Sequence, residues 1–154
     1  MSIIEKRVED IKEDLDFFDD ELAKYEYIID LGKKLEEFDE KDKVPSNIVH
    51  GCTSQVWLTC EQKDGKMYFH GTSDAIIVKG LVYMILKIFS NSSIEELKEV
   101  DMDIVHELKL SEVITPNRQS GVIGMMKKIN LHHNSYMPKE CHPRTSLFLQ
   151  QHHR

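Results

Sequence analysis

The spacing of apolar residues changes period twice along this chain, from helical to alternating and back, and the change pivots on Asp64-Gly65. Upstream, Ile4, Val8, Ile11, Leu15 and Phe18 recur at helical spacing and make one apolar stripe. Ser2 followed by Glu5 forms the capping-box pattern that opens this helix. Asp19 or Asp20 caps a second helix, with Leu22, Tyr25, Ile28, Ile29 and Leu35 expected on its buried face. The charged stretch 36–43 and Pro45 end the helical pattern. Then QVWLTCE (55–61) and KMYFHG (66–71) are rich in strand formers, and Asp64-Gly65 between them is a strong hairpin signal. On alternation Val56, Leu58 and Cys60 share one face, while Trp57 and Thr59 point the other way. Ile48-Val49-His50 is expected to add a short third strand.

After the hairpin the period is helical again. Ser73 or Asp74 caps a largely apolar helix from Ala75 to about Phe89, expected at the centre of the core. Ser92 or Ser93 with Glu95 or Glu96 repeats the capping-box pattern, and 103–108 makes a further turn or two. Thr115-Pro116 reads as an N-cap followed by proline at the first helical position, where the missing N–H is harmless, and that helix runs to about Asn130. No internal repeat or interdomain linker is visible. The reading is one domain over 1–131 and a C-terminal extension over 132–154. The extension has no sustained period and carries five of the eight histidines together with Cys141. Its histidines match no standard metal-ligand spacing, so no metal site is assigned.

Charge limits the partners. The net charge is −7, and residues 1–43 hold 16 acids against 8 bases, a net of −8. The remainder is nearly balanced, so no basic stripe is present for a phosphate backbone and no nucleic-acid partner is expected. No apolar run reaches the roughly 20 residues of a membrane span, and the opening MSIIEKRVED lacks the basic start and apolar centre of a signal peptide. The chain reads as cytoplasmic, with no membrane association. Its three cysteines, Cys52, Cys60 and Cys141, form no C-x-x-C pair, and an odd number argues against a disulfide framework. Any cysteine chemistry belongs to a single thiol.

Cys52 is the candidate, in His50-Gly51-Cys52-Thr53-Ser54. Gly51 permits unusual backbone angles and close approach of another molecule. Thr53 and Ser54 offer hydrogen bonds to a thiolate, and a folded-back His50 would depress the thiol pKa. A cysteine that merely occupies a tight turn is the alternative, and the local residues leave both open. Cys60, on the inward face of a strand, reads as a small core residue. Arg118 sits in the first turn of its helix, where a cation opposes the helix dipole. Its place there points to a carboxylate or thiolate outside the helix, or to a plain surface arginine.

Four stretches then match one family in order and at comparable spacing: Tyr25 to Leu35 (YEYIIDLGKKL), Val49 to Leu58 (VHGCTSQVWL), Ser73 to Leu81 (SDAIIVKGL) and Thr115 to Ile129 (TPNRQSGVIGMMKKI). Over roughly residues 3 to 130 the chain resembles the SufE/CsdE family of sulfur acceptor proteins. The family pattern is a Gly-Cys-x-Ser-x-Val-Trp loop, a Ser-Asp-Ala-x-Ile-Val-Lys-Gly helix start and a Thr-Pro-Ser-Arg-x-x-Gly segment. Thr53 stands where glutamine is frequent, and Asn117 replaces the usual serine. The resemblance implies an α+β fold shared with U-type iron–sulfur scaffolds, helices packed on a small antiparallel sheet of about three strands, in agreement with the element order above.

It also implies a role. Cys52 would take persulfide sulfur from a SufS-type, pyridoxal-phosphate-dependent cysteine desulfurase, stimulate that enzyme, and pass the sulfur to a SufB-type scaffold. The chain itself would need no cofactor beyond a transient persulfide on Cys52, and it would be a sulfur-transfer protein rather than a stand-alone enzyme. His50, Gly51, Ser54, Ser73, Asp74 and Arg118 would meet the partner around the loop. Three rivals stand beside this role: an iron–sulfur scaffold, a thiol hydrolase and a non-covalent desulfurase adaptor. The scaffold needs several thiolates around one cluster, and the hydrolase needs a His–carboxylate partner set that the sequence does not offer. The oligomeric state, a homodimer included, stays open.

Overall fold

The computed structural model describes residues 2–98 and 103–130; Cys141 and the rest of the extension 132–154 lie outside them. In chain order the described elements are α1 (Ile3–Asp16), α2 (Glu21–Gly32), β1 (Val56–Lys63), β2 (Lys66–Ser73), α3 (Ile76–Phe89), β3 (Ser92–Ser93), α4 (Ile94–Lys98), α5 (Ile104–Glu107) and α6 (Pro116–Asn130). Helices pack on one three-stranded antiparallel sheet of order β1-β2-β3, the α+β arrangement expected. Among the described residues no helix is long and apolar enough to cross a membrane.

The helix starts follow local chemistry. At α1 the Glu5 amide donates to Ser2 Oγ at 3.1 Å and the Ser2 amide to Glu5 Oε1 at 2.9 Å. The Ser93–Glu96 pair repeats this box at α4, at 2.8 and 3.1 Å. Asp20 caps α2 by accepting from the Ala23 amide at 2.7 Å. In the β1–β2 hairpin the register runs from Val56↔Ser73 to Lys63↔Lys66. Asp64 (φ 53°) and Gly65 (φ 78°) take the paired left-handed conformation of a two-residue turn that matches strand twist.

Two expectations need correcting. The third strand is Ser92–Ser93, paired with Lys66 and Met67 of β2, whereas Ile48-Val49-His50 contributes one bridge, Ile48↔Trp57. A turn of 3-10 helix at Pro45–Asn47 precedes that segment and Gly51 at φ 92° bends the chain away after it. Too few extended residues remain for a ladder. On α2, Leu22 is 68% exposed, whereas Ile28 is buried as expected, together with Leu31 and Gly32, and Tyr25, Ile29 and, just past the helix, Leu35 pack half-buried against the core. Rotation is set by contact with α3, where Cβ atoms on Gly32 or Gly80 would strike the facing backbone, so the two helices meet through their glycines. The sequence reading left the burial of β1's second face open, and both faces are covered: Trp57 and Thr59 are buried along with Val56, Leu58 and Cys60. Lys43 Nζ lies 5.5 Å from the Trp57 ring centroid.

Helix α3 is the hub. Nine of its fourteen residues are buried, and it packs on α1, α2, β2 and α6. Its C-terminal end is closed by Arg7 of α1, which donates to the Ile88 and Ser90 carbonyls at 2.9 Å, the Asn91 carbonyl at 3.0 Å and Ser92 Oγ at 2.8 Å. A cation at a helix C-terminus also complements the dipole. Its N-terminal end leads from β2 directly to the Cys52 loop. A side chain at position 80 would run into the Ile28 carbonyl. We therefore expect Gly80→Ala to lower stability by about 3 kcal/mol in urea unfolding, the upper range for overpacking into backbone. A loss below about 1 kcal/mol would contradict the helix–helix contact described.

Candidate functional site

The Cys52 loop is short and closed at its base. The Val49 amide donates to the Val56 carbonyl at 2.9 Å, and Ile48 bridges Trp57, so residues 50–55 form a tight excursion off the start of β1. Its exit is clasped to the junction of β2 and α3. The Gln55 carbonyl accepts from Ser73 Oγ at 2.7 Å and from the Asp74 amide at 3.3 Å, while the Gln55 amide donates to Asp74 Oδ1 at 3.1 Å. Neither Ser73 nor Asp74, expected as alternative caps, caps α3, whose N-cap is Ala75 with no side-chain hydrogen bond; instead Ser73 Oγ accepts from the Ala75 amide at 3.3 Å, and Asp74 holds Gln55.

Helix α6 supplies the other wall. Thr115 Oγ1 accepts from the Arg118 amide at 3.4 Å, with Pro116 first in the helix, as the sequence predicts. The Arg118 guanidinium reaches back to Ser54 Oγ at 3.4 Å. This contact resolves the dipole mismatch in the first turn: the arginine is directed at the loop and not at a carboxylate. Gly121 and Gly124 face the loop, the first against Cys52 Sγ and the second against the His50 carbonyl.

The structure thus gathers Cys52, Ser54, Ser73, Asp74 and Arg118 around one loop through separate bonds: Cys52 to Gly121, Ser54 to Arg118, and Ser73 and Asp74 to Gln55. Gly51 is exposed at φ 92°, and His50 is exposed at the loop's entry. Ser73 is buried and supports the loop from below, whereas Asp74 lies at the surface. Beside it Ile76, at 65% exposed, presents an apolar side chain to solvent. Three contributors were not singled out from sequence: Gly121, Gly124 and Gln55. A glycine inside a helical pattern signals close approach, so the first two carried a usable signal. Gln55 acts through its backbone, which no side-chain pattern records.

The thiol's environment differs from the sequence expectation. Among the described residues no side-chain donor supports a Cys52 thiolate; the S–H itself donates to the Gly121 carbonyl, with S···O at 3.7 Å. Cys52 is partly buried, and this burial pushes its pKa up, because a desolvated site disfavours the charged form. At neutral pH the resting group is the thiol and not the thiolate, which is the nucleophilic form. Cys52 is the free cysteine among the described residues, and Cys60 is 1% exposed in β1 and engaged. Among the described residues there is also no cluster of three or more His, Cys, Asp or Glu placed to hold a metal ion.

The sign of the shift fixes a pH dependence. Iodoacetamide labelling of Cys52 in the native protein should rise with pH to a midpoint above that of a short peptide carrying the loop sequence. In urea the midpoint should fall to the peptide's value. A native midpoint at or below the peptide's would contradict the desolvated thiol.

Comparison with known proteins places this geometry in a family. Residues 9–132 match the family described as "SufE: Fe-S metabolism associated domain". An uncharacterised SufE-like protein of Rhizobium meliloti is 36% identical over 136 residues, covering 85% of this chain and 97% of the relative. A second, from Synechocystis, is 36% identical over 108 residues, 70% of this chain and 68% of the relative. In fold, the chain is similar to the solution structure of a hypothetical protein from Thermus thermophilus. The TM-score is 0.68 at 17% identity, over 84% of this chain and 95% of that one. The resemblance carried by the four sequence stretches therefore holds: the chain belongs to the SufE family of Fe-S metabolism associated domains.

Proposed function

We propose that this protein is a sulfur acceptor and carrier, taking sulfur onto Cys52 from a SufS-type cysteine desulfurase in the cytoplasm and delivering it to a SufB-type scaffold. The observation that supports this most is the free Cys52 thiol, held on a short closed loop by Ser73, Asp74, Gln55 and Arg118 at the protein surface. A loop fastened at both ends presents one sulfur at a defined place. That suits a partner enzyme better than a small diffusing substrate.

The transfer is an exchange between thiolate and persulfide. The Cys52 thiolate attacks the outer sulfur of the desulfurase persulfide, a new sulfur–sulfur bond forms on Cys52, and the old one breaks. The desulfurase cysteine leaves as thiolate, and the proton lost from Cys52 returns to it or to solvent. No outside oxidant or reductant enters. Pyridoxal phosphate on the partner generates the original persulfide; this chain contributes the nucleophile and its placement. His50, Gly51, Ser54, Asp74 and Arg118 form the rim that meets the partner, and exposed Ile76 extends that rim with apolar surface.

The raised pKa gives docking a task. In the resting loop Cys52 is a protonated, partly buried thiol, so the loop alternates between this tucked position and an extended one inside the desulfurase. The tucked state protects the sulfur from stray thiols and oxidants between steps. Desulfurase turnover of free cysteine separates this reading from its rival, a non-covalent adaptor. Wild-type protein should stimulate turnover, and Cys52→Ser should bind the desulfurase equally well but give no stimulation. Full stimulation by Cys52→Ser would replace the acceptor with the adaptor.

A further inference from the structure

Helix α6 carries glycine at 121 and 124, inside a helix whose other described positions from 122 to 129 are ordinary helix residues. Glycine is a poor choice there, because it gives up more backbone freedom than alanine and leaves the helix less stable. Its presence therefore calls for a reason from outside the helix. At position 121 the reason is Cys52: a Cβ built on Gly121 would lie 3.2 Å from Cys52 Sγ and 3.8 Å from Cys52 Cβ. At position 124 it is the loop backbone: a Cβ would overlap the His50 carbonyl oxygen and lie 3.3 Å from Val49 Cγ1. The chain thus keeps bare backbone on α6 only where the cysteine loop rests.

We propose that Gly121 is a positioning residue for Cys52, its missing side chain being the space in which the thiol is stored. The inference rests on the acceptor reading for its consequence in sulfur transfer, but the storage itself is a property of the free protein. Gly121 acts in two ways. Its lack of a Cβ lets Sγ settle against the helix, and its carbonyl accepts the thiol proton at 3.7 Å. Both favour the neutral, shielded thiol over the exposed thiolate. The ionisable groups at the loop and its clasps are His50 in the loop, Asp74 just before α3 and Arg118 in the first turn of α6; farther along these helices stand Lys79 and Lys87 on α3 and Lys127 and Lys128 on α6. The hydrogen bond from Sγ goes to none of them. Backbone closure at position 121 thus controls how much of the thiol is available, with no charged group required.

The 3.2 Å approach in an alanine variant is too tight for an ordinary contact, and what it meets is a side chain on a surface loop. The loop gives way while the helix gains a better helix former. Gly121→Ala should therefore fold with an unchanged or higher melting temperature and yet expose Cys52. In the free protein, iodoacetamide labelling at pH 7 should be faster than wild type by about threefold or more, with its pH midpoint moved down toward that of an ordinary cysteine. Ile123→Ala, on an exposed residue of the same helix, should leave labelling unchanged. Gly124→Ala provides a second displacement of the loop, acting on its backbone instead of on the thiol, and should also accelerate labelling. If Gly121→Ala and Gly124→Ala, both folded by circular dichroism, label at the wild-type rate and midpoint, the storage role is overturned.

A separate arm adds a SufS-type desulfurase and cysteine, and follows the rate of sulfur gain on Cys52 at low partner concentration. Faster gain in Gly121→Ala extends the role to transfer. Faster labelling with no sulfur gain in any variant, wild type included, leaves storage standing and overturns the acceptor reading instead.

Discussion

The site depends on the burial of α3. This helix packs on α1, α2, β2 and α6, crosses α2 through Gly32 and Gly80, and has its C-terminal carbonyls held by Arg7. With its C-terminal end held by Arg7 and its first half pressed against α2 at Gly80, the residues that lead into it are positioned as well. Ser73 and Asp74 stand at that entrance, and their three hydrogen bonds to Gln55 carry the rigidity of the core out to the Cys52 loop. From the other side, α6 contributes Arg118 to Ser54 and bare backbone at Gly121. The loop is surface chain, but its attachments are core structure. A catalytic or carrier residue placed this way has a loop's accessibility with little of a loop's usual freedom.

Two demands on Cys52 oppose each other here. A stored sulfur needs shielding, and a nucleophile needs to be thiolate. Hydroxyls and an arginine stand close by, but the hydrogen bond of Sγ runs to a backbone carbonyl and burial raises the pKa. Shielding therefore prevails in the free protein. On the proposed acceptor role, release from the α6 wall would reverse the balance, since a thiol freed from that contact is less desolvated. On that proposal a small displacement of the loop would suffice, because the contact that holds the sulfur is one carbonyl and one missing side chain.

Much of this is legible from residues alone. Capping boxes at Ser2/Glu5 and Ser93/Glu96, the cap at Asp20, the Asp64-Gly65 turn and proline at the start of α6 are local signals with local causes. Neighbours within four residues decide each of them. The errors have tertiary causes. Which face of α2 is buried depends on a glycine on another helix. The third strand went to Ser92–Ser93, a pairing across more than twenty residues that two serines do not announce. At the site, the residues alone point to the cysteine and the arginine that the fold brings to one loop. They give the thiol's environment the opposite sign, because adjacent hydroxyls are visible in the sequence and the approach of α6 is not.

The central claim, that Cys52 receives sulfur as a persulfide, is tested most directly by intact-protein mass spectrometry after incubation with a SufS-type desulfurase and free cysteine. The account predicts a gain of one sulfur atom that a reductant removes, located on Cys52 and absent from a folded Cys52→Ser variant. A wild-type protein that binds the desulfurase and shows no such gain would contradict it.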